Sequence, residues 1–370
     1  MKHKLLLVGL LAISNTAFSD ENELSGEKCK LLELDSCYWL SSADAFLFDN
    51  DIFASDGNND DQNYTYGLIW SWNHDKAIRH AMHTDTLQKK LIGYDSTRNM
   101  YGFQAGIVNF TPDELSNSGI EFQDRPYASL VFVHSDVFRT TKSDDGSFKS
   151  SLGVGVTYGV AGLNIGRALQ SGLHAAIRKI SNDDRPVKPM GWDHQVSDGG
   201  EFTGKIDVSY HYRIRPINKR LDTVLFSQAS LGYYSMARVG GVVKYGDILI
   251  KNTPAHSVTQ LGNPVSAGTE LVSESWKERF VFIGVNQVYM GFNMFLQCGF
   301  RSSDFCLEND QLEPSFYEWS AGYKWGDDDS SWKISFHGRE AEHRLEKRRH
   351  HKWAGITYEF SPRKTQNLLF

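Results

Sequence analysis

Apolar and small or polar residues alternate with period two through most of this chain. Tyr66, Leu68, Trp70 and Trp72 alternate with Gly67, Ile69 and Ser71. Leu152, Val154, Val156, Tyr158 and Val160 form a second such series, Ile206, Val208, Tyr210 and Tyr212 a third, and Ala354, Ile356, Tyr358 and Phe360 a fourth. Period two is the repeat of a β-strand that shows one kind of residue to each face. The spacing predicts strands near 41–50, 64–74, 98–110, 126–138, 148–162, 202–215, 222–234, 236–248, 278–296, 313–325, 331–339 and 350–360. Twelve is an even number, and the pattern of apolar outside with small or polar inside is that of a membrane-spanning barrel. The predicted fold is all-β: a transmembrane antiparallel β-barrel of about twelve strands.

With both chain ends on the periplasmic side, the outer connections fall at about 51–63, 111–125, 163–201, 297–312 and 340–349, with a tight turn near 235. Long outer loops and short inner turns are the usual asymmetry. The segment 249–277 breaks it, either because the strand count is off there or because that connection is an ordered plug. Within the loop 163–201, Leu169, Leu173, Ala176, Ile177 and Ile180 recur at steps of three and four, which predicts a helix over 163–180. Gly166, Gln170 and His174 share one stripe of that helix beside the apolar one. A helix in an extracellular loop, lying against the barrel rim, would leave a groove between itself and the wall.

The first nineteen residues have the form of an export signal: Lys2 and Lys4, an apolar run Leu5 to Ile13, and Ala17-Phe18-Ser19 as a small-x-small site. One domain follows, with an N-terminal extension over 20–40, the barrel over about 41–360 and a tail over 361–370. No later stretch approaches the apolar length of a membrane helix. The 22 Phe, 16 Tyr and 9 Trp suit the two aromatic girdles of a barrel, and equally a secreted β-sandwich. A net charge of −6 gives no case for a nucleic-acid partner. Cys29 with Cys37 and Cys298 with Cys306 point to two local disulfides in an exported chain.

His174 is the first candidate for a general base, since a free imidazole titrates near pH 6.5. An ordinary structural histidine is the alternative. Asn50 and Asp51, after Asp49, offer hard oxygen donors at the outer end of the first strand, as Ca²⁺ prefers. The Asp- and Asn-rich stretch 56–61 lacks the order of an EF-hand, and a solvated turn explains it too. Thr65 could present a hydroxyl across the first hairpin. No Gly-x-Ser-x-Gly elbow exists, so water activated by His174 is favoured over a serine nucleophile. Asp124 and Arg125 open the fourth strand, where they could brace the site or grip a substrate phosphate. The loop Arg339 to Lys352 holds Arg344, Lys347, Arg348, Arg349 and Lys352, a basic set suited to phosphorylated lipid head groups or simply to solvent.

These segments together resemble the outer-membrane lipid A 3′-O-deacylase family. The shared pieces are Asn50-Asp51, Tyr64-Thr65 before a glycine, Asp124-Arg125 followed by an aromatic, Gln170-x-x-x-His174 and Trp192-x-x-Gln195. The resemblance implies a twelve-stranded barrel in the outer membrane with its site between the wall and an outer-loop helix. It implies that the substrate is lipid A or lipopolysaccharide, that His174 activates water and that Ca²⁺ stabilises the oxyanion. Insertion would pass through the barrel-assembly machinery. Asn50, Asp51, Thr65 and Gln170 carry over to the family's site. Two departures stand out. The glutamate expected shortly after the histidine would fall in 177–180, where the chain has none; the nearest acids, Asp183 and Asp184, join Asn50 and Asp51 as candidate metal ligands. A family lysine before Asp124 has no counterpart in 111–123. Two other functions share these features: an outer-membrane phospholipase, and a barrel that binds or transports lipid or solute.

Overall fold

The computed structural model describes residues 44–51, 63–72, 84–91, 99–143, 148–181, 189–214, 220–248, 277–327 and 330–360. Twelve strands run β1 (Asp44–Asn50), β2 (Asn63–Trp72), β3 (Asn99–Thr111), β4 (Ala128–Lys142), β5 (Phe148–Ala161), β6 (Glu201–Ile214), β7 (Leu221–Gly232), β8 (Tyr234–Asp247), β9 (Arg279–Asn293), β10 (Ser315–Gly326), β11 (Ser330–Arg339) and β12 (His351–Phe360). Each pairs antiparallel with its neighbours in sequence, and β1 pairs with β12 from Asp44↔Phe360 to Asn50↔Ala354, closing the barrel. Every predicted strand is present within a few residues. The predicted export signal, the Cys29 and Cys37 pair, Asp183, Asp184, the tail after Phe360 and nearly all of 249–277 lie outside the described residues.

Burial along the strands is inverted relative to a soluble protein. On the outward parity Ile283 is 63 % exposed, whereas Lys324 on the inward parity is 3 % exposed. Lipid solvates the outward apolar set, while inward charges must pair. They do so as Lys205–Asp207 at 2.8 Å, Arg213–Asp222 at 3.0 Å and Lys324–Glu359 at 2.9 Å.

Among the described residues three α-helices lie between strands: α1 (Thr84–Leu91), α2 (Ile165–Ser181) and α3 (Met294–Gln297). The predicted helix is α2. The predicted ninth strand ends early because Asn293 caps α3, its side chain accepting from the Phe295 amide at 3.0 Å. Phe295 then stacks on Phe110 and meets Tyr233 and Tyr234, an aromatic cluster across the barrel. The α1 helix was not signalled by the sequence pattern. Its Leu87 packs on Val137 and Val154, whose parity is outward, so α1 covers a patch of the outer wall. Cys298 and Cys306 form a disulfide in the β9–β10 connection.

Candidate active site

The outer end of β1 begins a row of side chains that share one level and one face. The register links Ala354 to Asn50, Asn50 to Tyr66, Tyr66 to Asn109 and Asn109 to Ser129 across five strands. Their parity is that of the lipid-facing wall, yet all five are buried. Lower on the same face Phe46 and Trp70 are 42 % and 44 % exposed. The buried row therefore lies under a cover, and that cover includes α2.

The first turn of α2 is fixed to this row. The Tyr66 hydroxyl donates to the Gly166 carbonyl at 2.9 Å, and the Ser129 hydroxyl reaches the Leu163 carbonyl at 3.1 Å and the Gln195 side-chain oxygen at 3.2 Å. Position 166 tolerates only hydrogen: a Cβ there would meet the Asn109 amide oxygen, the Ser129 Cβ and the Trp192 ring. Gly166, Gln170 and His174 are all buried, whereas Ile165 and Leu169 are 48 % and 42 % exposed. The helix thus turns its polar stripe to the wall and apolar side chains outward, the reverse of a helix on a soluble protein. The wall explains this, because here it offers Asn50, Asn109 and Ser129 instead of lipid-grade residues.

The stripe and the row have matching lengths. At about 1.5 Å per residue, His174 stands about 12 Å from Gly166. At about 4.8 Å per strand, Asn50 stands about 10 Å from Asn109. Midway along the stripe, Gln170 accepts a hydrogen bond from the Trp192 indole at 2.8 Å. Trp192 belongs to the short turn Gly191–His194 and packs on Tyr127.

Thr65 is the extra residue of a bulge between Tyr64 and Tyr66. The bulge brings its carbonyl to the Asn50 side-chain amide at 3.0 Å and its hydroxyl to that of Thr111 at 2.8 Å. Asn50, Thr65 and Asp51 are thus joined, the Asp51 amide lying 3.5 Å from the same carbonyl. Asn109, Thr111, Ser129 and Tyr66 were missed as site residues. Their signal was available: polar groups at outward parity and near a rim. Asn109 is fully buried, and neither atom of its amide has a hydrogen-bond partner among the described residues.

Asp124 and Arg125 take part in a brace between two outer loops. Arg125 is fully buried, pairs with Glu342 at 3.4 Å and lies 4.4 Å over the Phe110 ring, which is on the inward face. Asp124 accepts from Arg349 at 2.6 Å and from the Asp113 and Arg125 amides. Both tie the β3–β4 loop to the β11–β12 loop. Burial, with the Arg125 guanidinium nearby, lowers the His343 pKa in that second loop to about 4. The basic loop is likewise engaged by acids. Lys347 meets Glu121, Arg344 and Arg348 meet Glu313, and Arg349 meets Asp124 and Asp113.

Among the described residues no three His, Cys, Asp or Glu side chains gather as a metal site. Asn50, Asp51 and Thr65 supply oxygen donors only, the set a hard cation takes. Ca²⁺ binds 6–8 oxygens, so carbonyls, water or substrate would complete its shell.

The model of the family described as outer membrane protein LpxR matches residues 6–361. The chain belongs to the LpxR family. Among solved structures, LpxR from Salmonella typhimurium shares the LpxR-family fold at a TM-score of 0.64 and 17 % identity, over 86 % of this chain and 99 % of that one. An outer membrane channel from Pseudomonas putida F1 aligns at 0.42 and 10 %, over 87 % and 95 %. No curated protein sequence matches the chain. As an LpxR-family protein it is an outer-membrane barrel, and the end carrying α2 is the end with the longer loops, opposite the paired Asp44 and Phe360. Within this LpxR-family barrel the inward pairs Lys205–Asp207, Arg213–Asp222 and Lys324–Glu359 are at most 6 % exposed.

Proposed function

We propose that this protein is a lipid A deacylase that hydrolyses the ester of the 3′-linked acyloxyacyl chain in the outer leaflet. The observation that carries this reading is the polar row Asn50–Tyr66–Asn109–Ser129 on a lipid-facing wall, covered by a helix whose buried stripe ends in His174. Such a groove opens toward lipid and not toward the lumen, so its substrate is a membrane lipid.

In this reading His174 takes the proton from a water as it attacks the ester carbonyl, and returns it to the departing alkoxide. Gln170, held by Trp192, orients water or substrate beside the imidazole. Thr65 sets the Asn50–Asp51 turn through its carbonyl. Asn50 and Asp51 would hold Ca²⁺, which when bound polarises the ester carbonyl and offsets charge on its oxygen. Burial of the groove excludes bulk water and strengthens each of these contacts.

Mass analysis of lipid A from membranes with and without the protein tests the reading. Loss of the 3′ acyloxyacyl mass is expected with the wild type and Ca²⁺. It should disappear with EDTA and in His174→Ala at equal barrel level. Cleavage of glycerophospholipid with lipid A untouched would replace this reading by a phospholipase. Full activity in His174→Ala would reject the mechanism.

A further inference from the structure

The basic loop is largely taken up by acids. One lysine of that loop differs from the others. Lys352 is exposed, and no ion pair to it is found among the described residues. It is the second residue of β12, and its parity is outward: Ala354, Ile356 and Tyr358 continue its face.

Its position relative to the candidate site follows from the barrel closure. Ala354 is the register partner of Asn50, so Lys352 is a diagonal neighbour of Asn50 on the rim side. Such a diagonal spans about 7–8 Å between backbones, within the reach of a long side chain. Ala354 is buried, whereas Lys352 is exposed, so the edge of the cover falls between them. On its other side Lys352 pairs with Gly338, over which the Trp319 indole lies. A cation therefore stands at the open edge of the groove, beside the Asn50–Asp51 turn.

We propose that Lys352 binds a phosphate group carried by the sugar of the substrate and so sets which ester reaches His174. This rests on the deacylase reading and deepens it. The lysine is a compact point charge on a flexible stem, suited to a phosphate presented at a variable angle. An ordinary interfacial lysine, which meets any lipid head group, is the competing explanation.

The test compares wild type, Lys352→Met and Lys352→Arg in detergent. Three substrates are used: the phosphorylated glycolipid, its dephosphorylated form with the same acyl chains, and an anionic glycerophospholipid. Lys352→Met should raise KM about tenfold for the phosphorylated glycolipid with kcat little changed, and leave the dephosphorylated form unaffected; Lys352→Arg should keep most of the wild-type KM. A binding arm in the His174→Ala background, read by native mass spectrometry, should show the same tenfold selectivity without turnover. An equal loss on both glycolipids, no loss on either, or the same weakening toward the glycerophospholipid would overturn the proposal. Absence of deacylation by the wild type rejects the enzyme reading instead, and the binding arm then still decides the role of Lys352. Unchanged heat-modifiable mobility shows that the variants remain folded barrels.

Discussion

The Tyr66 hydroxyl donates to the Gly166 carbonyl at 2.9 Å and thereby joins a lipid-facing strand to the helix that covers it. A net contribution of about 1 kcal/mol is typical of such a bond, which is about a fivefold change in an equilibrium. Tyr66→Phe should leave the barrel intact and slow deacylation roughly fivefold. Initial rates by mass spectrometry, with gel mobility as the folding control, check this. A wild-type rate would show that the bond does not hold the productive arrangement.

Gly166→Ala should be more damaging, because the new Cβ meets the Asn109 amide oxygen and the Ser129 Cβ, the latter at 3.0 Å. The helix would have to lift from the row. Truncating the obstacle tests that cause: Gly166→Ala with Asn109→Ala should recover part of the lost rate. Recovery equal to zero, with Asn109→Ala alone still active, would place the damage elsewhere.

The strands were legible because lipid demands an outward apolar residue at every second position, and a one-residue error would invert the face. The α2 helix was legible from its own period. What sequence did not reveal depends on distant partners. Nothing local to Arg125 signals that its acidic partner is Glu342, far along the chain, at 3.4 Å. The α1 helix is short, and its Leu87 packs on Val137 and Val154, far along the chain. His174 and Gln170 were found from their helical spacing. Asn109 was not, because an isolated Asn in a strand carries no signal until parity and rim level are considered together.

Gln170 holds two roles that substitutions can separate. Its side-chain oxygen accepts from the Trp192 indole at 2.8 Å. Gln170→Ala leaves that buried donor without its acceptor, a cost of about 1–3 kcal/mol, and should change Trp emission and activity together. Gln170→Glu keeps an acceptor for the indole while removing the amide donor. The wild-type emission should survive in Gln170→Glu while deacylation falls about tenfold. Full activity in Gln170→Glu would confine the residue to supporting Trp192.

The two outer loops joined by Asp124, Arg125 and Glu342 should loosen in acid. Burial first, and the Arg125 guanidinium second, hold the His343 pKa near 4, below the ordinary imidazole value of 6.5. Arg349 opposes the charged form as well, while Asp124 and Glu342 favour it. Between about pH 6.5 and 4 the released loop binds a proton that the braced loop does not, so lowering pH through that window favours release. At about 1.36 kcal/mol per pH unit the full effect is roughly 3 kcal/mol. Amide exchange in the β3–β4 and β11–β12 loops should accelerate progressively from pH 6.5 to pH 4, after correction for the intrinsic rate. His343→Gln, which cannot take up the proton, should flatten that dependence. Exchange that is equally pH-dependent in His343→Gln would assign the loosening to another group.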